Sequence, residues 1–363
     1  MVNKKIKVNL KDTSYEVIIG KGVSLDKKIK SKFIYGKEIL LISDKNIPEK
    51  KINIITSSVE DCGPHKLNSL KLKLNERSKN FTSVSKIHNF LIKKKYTRDS
   101  LIICIGGGIL SDVSGFAAAT YLRGINFMLM PSTLLAQVDA SIGGKTGINH
   151  TMGKNLIGSF HQPKLVLVDI TFLRSLSPKD IAEGYAEIIK HCLIKDKKLF
   201  CWLENKLTRS KKLSDKDLIK LIFESINIKS EIVQKDEKEK GLRAILNFGH
   251  TFGHAFELIG GYKTYSHGQG VALGILIALE VSKKFFLISD DEIKRVKLIL
   301  KKARLIIKPK KTIDVVKFYS ALQMDKKRNK ESLQFILLQE LGLAVIKKDI
   351  PKKIIFDALK QSF

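Results

Sequence analysis

The chain has 363 residues, room for one large or two moderate domains, and 44% of them are hydrophobic, enough for a sizeable core. Its apolar stretches are too short to span a bilayer; one of the longest, 271–281, is broken by Gly274 and Glu280. The formal charge of +30 comes mostly from Lys spread along the chain, with small clusters at 93–95 and 308–311. That spread suits compositional bias and steering of anionic substrates better than nucleic-acid recognition, which gathers basic residues on one face.

In chain order, the opening residues 1–8 alternate charged and apolar side chains and lack the apolar centre of a signal peptide. The four cysteines, Cys62, Cys104, Cys192 and Cys201, have no C-x-x-C spacing and read as reduced structural thiols. A cytoplasmic protein is expected. Residues 39–44 read as a buried strand ending in a turn, and 83–95 as a helix on the spacing of Val84, Ile87, Phe90 and Leu91. Residues 101–105, 127–130 and 165–169 read as further buried strands. From about Pro178 the texture turns helical, over 179–210, 215–235, 245–260, 268–288, 290–305 and 351–361, with 333–338 and 343–346 as a small hairpin. The expected plan is an α/β N-terminal domain (Rossmann-like, with a mostly parallel sheet) over 1–178 and a mainly α-helical C-terminal domain over 179–363, with a cleft between them.

Three segments carry chemistry. The first, Gly106-Gly107-Gly108-Ile109-Leu110-Ser111-Asp112, sits between a strand and a helix-like run from Val113. Glycines there admit a pyrophosphate to a helix N-terminus, although the pattern is not G-x-G-x-x-G and also serves as a plain tight turn. The second segment, 131–155, holds Asp139, Gly143, Gly144, Lys145, Asn149, Gly153, Lys154 and Asn155 without apolar periodicity, as a functional loop that offers backbone donors to an anion would. Its Gly143-Gly144-Lys145-Thr146 lacks the spacing of an ATP-binding P-loop. The third segment is 247–257, in which His250 and His254 share one helix face. That spacing suits a metal, but Thr251 stands where a zinc protease carries Glu. His267 lies in a glycine-flanked turn, and Glu187 lies on an otherwise apolar helix stretch. A carboxylate and imidazoles suit zinc with one position left open to substrate; ordinary core or surface histidines remain the alternative.

Together these motifs closely resemble the 3-dehydroquinate synthases, over nearly the whole chain and most strongly over 99–280. The blocks 112–124, 137–149, 186–190 and 247–257 carry the likeness. The resemblance implies zinc, or cobalt in its place, held by Glu187, His250 and His267, with His254 moving protons rather than binding metal. It implies NAD held by Asn75, Glu76, Lys79, Gly108, Ile109, Leu110, Ser111, Asp112, Ser132, Thr133, Lys145, Lys154, Phe172, Leu173, Arg174 and Ser175. Substrate contacts fall to Asp139, Lys145, Asn155, Lys190, Lys229, Arg243, Asn247 and Lys326, and to Arg123 from a partner subunit, which implies a homodimer. The implied reaction converts 3-deoxy-D-arabino-heptulosonate 7-phosphate to 3-dehydroquinate and phosphate, on the shikimate route to chorismate and the aromatic amino acids. Another sugar-phosphate cyclase or a metal-dependent polyol dehydrogenase would share the scaffold. Two departures fall in the NAD segments: Asn75 replaces the family's usual Gly before Glu76, and Ser111 replaces the Gly before Asp112.

Overall fold

The structure, a computed structural model, describes residues 3–208, 213–286, 288–329 and 334–363, and of 324–329 the backbone alone. The chain forms two compact units: Met1–Leu176 with Leu218–Gln234, and Ser177–Asp217 with Lys235–Phe363.

The first unit opens with β1 (Lys4–Val8) and β2 (Tyr15–Gly20), then α1 (Lys27–Ile34), β3 (Glu38–Asp44), α2 (Glu49–Glu60), β4 (Lys66–Leu72) and α3 (Phe81–Lys93). There follow β5 (Leu101–Gly106), α4 (Gly108–Thr120), β6 (Asn126–Pro131), β7 (Lys145–His150), β8 (Gly153–Phe160) and β9 (Leu165–Asp169). Seven strands make one sheet in the order β1-β2-β9-β6-β5-β3-β4, and only the β1–β2 pair is antiparallel. The four strands read from continuous apolar runs, β3, β5, β6 and β9, occupy its middle, where helices cover both faces. Their side chains, among them Leu41, Ile103, Met128 and Leu167, form the core with α2. The edge strands β1 and β4 escape a reading by apolar runs because lysines and polar residues interrupt them.

The sheet order reverses between β3 and β5, since β3 leads outward to β4 and β5 leads the other way to β6. In doubly wound sheets the crevice at that point, outside the carboxyl ends of the strands, is where ligands bind. β5 ends there on Gly106, which pairs with Pro131 at the end of β6. The helix after the glycines begins at Gly108, not at Val113. Small residues do not weaken it, because Leu110, Val113 and Phe116 bury their side chains. The segment 131–155 is more ordered than a loop. It holds a π-helical turn, Ala136–Ala140, and the hairpin β7–β8.

The second unit contains α5 (Pro178–Lys195) and α6 (Lys197–Lys206). The next helix, α7 (Asp215–Lys235), packs mostly with the first unit. The second unit resumes with α8 (His250–Ile259), α9 (His267–Phe285), α10 (Asp290–Lys302), α11 (Val315–Asn329), β10 (Gln334–Glu340), β11 (Leu343–Lys348) and α12 (Lys352–Ser362). Ser177 starts α5 by accepting a hydrogen bond from the amide of Asp180, with Pro178 as the first helical residue. Helix α9 is its centre, buried along 268–282 except Gln269. No described helix is long and apolar enough to cross a membrane.

Candidate active site

Three elements of the second unit bring one carboxylate and two imidazoles together. Glu187 projects from the middle of α5 and is fully buried. His250 is the first residue of α8 and His267 the first of α9. Nε2 of His250 stands 3.6 Å from Glu187 Oε1, and Nε2 of His267 stands 3.3 Å from the same oxygen. The ligand atoms of all three lie within 4.8 Å of one another. Glu187 Oε2 accepts from the buried amine of Lys190, while Oε1 is buried with no well-formed hydrogen bond. A buried oxygen left in that state is costly, and a divalent cation satisfies it. One carboxylate and two imidazole nitrogens are the donor set of an open catalytic zinc site, so the residues fit the cation that the resemblance implies.

The electrostatics match. Burial, then the Lys190 charge, lower His250 to about 3, leaving it neutral with a lone pair to donate. Burial would raise Glu187, but Lys190, His250 and His267 outweigh it and hold the carboxyl well below its ordinary 4.5. Burial would lower His267, but the neighbouring Glu187 and Glu257 carboxylates outweigh it and raise the ring to about 10.

Glycines let α8 and α9 come this close. A Cβ on Gly274 would sit 2.0 Å from the carbonyl oxygen of Gly249, and one on Gly253 would sit 2.9 Å from the carbonyl of Gly270. Gly249 and Gly253 are one turn apart, as are Gly270 and Gly274. Two bare stripes therefore face each other directly beside His250 and His267.

In the first unit the turn Gly106-Gly107-Gly108 opens α4. Gly107 is its N-cap, no side chain caps it, and the first turn holds no acid. The first amides of α4 are thus available to an anion, and an NAD pyrophosphate fits that cradle. Behind it, Lys79 is buried and donates to Asp112 (2.5 Å) and to Asn155. Burial raises Asp112 to about 6 even against the Lys79 charge. The amide nitrogen of Asn149 donates to Glu76 O (2.9 Å) and Oε1 (2.7 Å), tying hairpin β7–β8 to the 75–79 turn.

A family model for the 3-dehydroquinate synthase N-terminal domain matches residues 69–183, and one for the C-terminal domain matches 184–328. A 3-dehydroquinate synthase of Prochlorococcus marinus is 42% identical over 365 residues, covering 99% of this chain and 98% of that one. The chain belongs to the 3-dehydroquinate synthase family. Another 3-dehydroquinate synthase, from Campylobacter concisus, is 45% identical over 286 residues, covering 79% of this chain and 81% of the relative. Among solved structures, 2-deoxy-scyllo-inosose synthase complexed with carbaglucose-6-phosphate, NAD+ and Co2+ superposes with a TM-score of 0.87 at 24% identity, covering 99% of each chain. The 2-epi-5-epi-valiolone synthase of Streptomyces hygroscopicus, with NAD+ and Zn2+ bound, gives 0.85 at 23% identity, covering 98% of each. At those identities the likeness is one of fold.

Both departures from the 3-dehydroquinate synthase pattern are accommodated. Asn75 has φ −138°, which needs no glycine, and its side chain caps the 76–78 turn by accepting from the amides of Arg77 (3.0 Å) and Ser78 (3.1 Å). Ser111 sits inside α4 and donates its hydroxyl to Gly107 O at 3.1 Å. Ser132 and Thr133 leave the end of β6, where the amide of Ser132 donates to Gly106 O at 2.9 Å. Phe172 and Leu173 bury their side chains, whereas Arg174 and Ser175 are exposed. Lys145 is exposed at the start of β7, and Lys154 is half-buried in β8. Asp139 lies in the π-helical turn, a feature frequent at functional sites, and accepts from buried Lys229 at its carboxylate and its carbonyl, both at 2.6 Å. In the second unit Arg243 is buried, and its main-chain amide donates to Asp236 at 2.9 Å. Asn247 donates to Glu239 at 3.2 Å. His254 is exposed, its ring edge-on to His250 with centroids 5.6 Å apart. The side chain of Lys326 lies outside the described residues.

The sequence reading passed over three acids. Glu257 accepts from His267 Nδ1 at 3.1 Å. Glu183 accepts from the amide of Gly268 at 2.7 Å and from the Ser266 hydroxyl. Glu239 has φ 54°, strained for a residue other than glycine, beside Asn247. A carboxylate one helical turn from a motif residue, Glu183 before Glu187, was the available signal.

Proposed function

We infer that the chain converts 3-deoxy-D-arabino-heptulosonate 7-phosphate to 3-dehydroquinate and phosphate, with NAD used catalytically and a divalent cation held by Glu187, His250 and His267. The observation that carries this is the buried Glu187 Oε1, facing two imidazole nitrogens at 3.3 and 3.6 Å and otherwise unsatisfied. The family membership supports the reaction. When bound, the cation supplies Lewis-acid polarisation of a substrate hydroxyl, and NAD supplies a reversible hydride acceptor. The chain's own residues bind, orient and move protons. Lys145, Asn155, Lys190, Lys229, Arg243, Asn247 and Lys326, with Asp139 holding the Lys229 amine, are assigned to the substrate. Ammonium and guanidinium groups suit the phosphate and carboxylate of this substrate. His254, exposed beside His250, is assigned the proton transfer, and Lys190 balances the Glu187 charge.

We assign NAD to the α4 cradle with Ser132, Thr133, Lys145, Lys154 and the residues of the 75–79 and 172–175 turns. The uncapped α4 start supports this assignment. We further propose zinc as the resident cation, a homodimer, and a cytoplasmic location, which the four free thiols favour.

The test is phosphate release from the heptulosonate phosphate. Turnover should need only a trace of NAD, stop on chelation and return with zinc. His250→Ala should lose bound zinc and at least about 1000-fold in kcat. NADH accumulating in step with product would instead make the protein a polyol dehydrogenase, and full activity of metal-free protein would remove the cation from the reading.

A further inference from the structure

We propose that Glu257 is the positioning residue that fixes His267 in one tautomer and one orientation, and thereby sets how tightly the Glu187, His250 and His267 cluster holds its cation. The inference rests on the cation site proposed above. An imidazole that donates Nδ1–H to a fixed acceptor must present its Nε2 lone pair on the other side of the ring, and that lone pair is what a cation needs. Glu257 Oε1 is 3.1 Å from His267 Nδ1, and His267 Nε2 is 3.3 Å from Glu187 Oε1. The two carboxylates therefore grip opposite ends of one ring, and Glu257 stands on the side away from the cluster. Glu257 is not among the three residues whose ligand atoms lie together.

The two histidines are held differently. His250 Nδ1 lies 3.3 Å from the carbonyl oxygen of Phe248, a neutral acceptor only two residues away, and its side chain is 12% exposed. His267 is 33% exposed, so packing restrains its ring less, and its acceptor is charged and comes from another helix. The side chain of Glu257 is itself only 4% exposed. The bond to His267 therefore joins a buried carboxylate of α8 to the first residue of α9. The close approach of α8 and α9 permits the contact, since a Cβ on Gly270 would already lie 3.4 Å from Glu257 Cγ. From the other side, Glu183 fixes the backbone of the same turn through the Gly268 amide at 2.7 Å. Helix α5 thus sets where His267 begins, and α8 sets which way its ring faces.

The readout is cation affinity, not turnover. The full chain is stripped of metal, refilled, and its zinc dissociation constant measured by competition with a chromogenic chelator. Cobalt-loaded protein gives visible bands that report ligand geometry. Glu257→Gln keeps the shape and loses the charge, and should weaken zinc about tenfold; Glu257→Leu removes the acceptor and should weaken it about 10–100-fold. Both should shift the cobalt bands, and kcat of Glu257→Gln at saturating zinc should largely return. If Glu257→Leu does not fold, Glu257→Gln decides alone. Zinc affinity within roughly twofold of the parent in Glu257→Gln, with an unchanged cobalt spectrum, overturns the proposal. His250→Ala separates the two levels. If it binds zinc as well as the parent, the cation site itself is wrong; if it loses zinc while Glu257→Gln does not, only the role of Glu257 fails.

Discussion

Glu38, at the start of β3, shows how a single carboxylate ties sheet to loop. Burial would raise its pKa, but it accepts from the amide and hydroxyl of Thr97 (2.7 and 2.8 Å) and from the Ser100 hydroxyl (2.8 Å), with Lys66 at 3.4 Å. These bonds outweigh desolvation and lower the group from 4.5 to about 2. A depressed folded-state pKa contributes stability above the unfolded value and loses it as pH falls through the folded one. Glu38→Gln should therefore cost about 2 kcal/mol at neutral pH, and the gap to the parent should shrink as pH falls from about 4.5 toward 2. Urea unfolding across that range measures it; a gap constant with pH would mean that the bonds work equally well without the charge. Little of this was legible in the sequence, where Glu38 is one acid among many. The histidines were legible as motif residues, but local spacing put only His250 and His254 on one face. The cluster draws its second imidazole from α9, and a partner so far along the chain leaves no local periodicity to read.

Elements were legible wherever one pattern dominated. Buried parallel strands announce themselves as apolar runs, and β3, β5, β6 and β9 were read that way. The amphipathic α3 and α10 follow helical spacing with ordinary caps: Asn80 accepts from Ser83, and Ser289 accepts from Glu292. The edge strands failed because half their positions face water. Helices α8 and α9 were read over 245–260 and 268–288, but their crossing was not, because glycines within a helix normally read as a weakness and not as a contact. Here the missing side chains are the point of contact. Gly274→Ala would place a methyl 2.0 Å from the Gly249 carbonyl oxygen, and backbone cannot swing aside as a side chain can. We expect a loss of about 3 kcal/mol or more, with weaker zinc binding as α8 and α9 separate. Gly261→Ala is the control: its Cβ would meet nothing within 4 Å, and only φ +62° opposes it, so about 1 kcal/mol is expected. Equal thermal shifts for the two variants would show that contact between the helices does not set the spacing.

Over the whole molecule, the +30 charge has at least one structural use. Both edges of the large sheet are armed with lysine, Lys4, Lys5 and Lys7 on β1 and Lys66 and Lys71 on β4, and charged edges discourage strand pairing between molecules. The homodimer proposed above would use another face, and the short turn Tyr121–Arg123 after α4 offers one. Leu122 and Arg123 both adopt left-handed backbone, φ 47° and 68°, and both side chains are exposed. Two such residues in succession are strained, and strain of this kind collects where a side chain must be presented in a fixed direction. A guanidinium offers a bidentate fork to an oxyanion, which a lysine cannot copy. On the proposed homodimer, Arg123 serves the substrate of the neighbouring subunit. Arg123→Ala and His250→Ala should then each be inactive alone. In a mixed dimer, the site built on the Arg123→Ala chain keeps its own His250 and receives an intact Arg123 from its neighbour, while the other site lacks both. Random exchange of equal amounts makes half the dimers mixed, each with one whole site, so about one quarter of parental activity should return. Differently tagged chains, purified through both tags, would prove that mixed dimers were present. Mixed dimers without activity would place Arg123 in its own subunit's site or outside the site altogether.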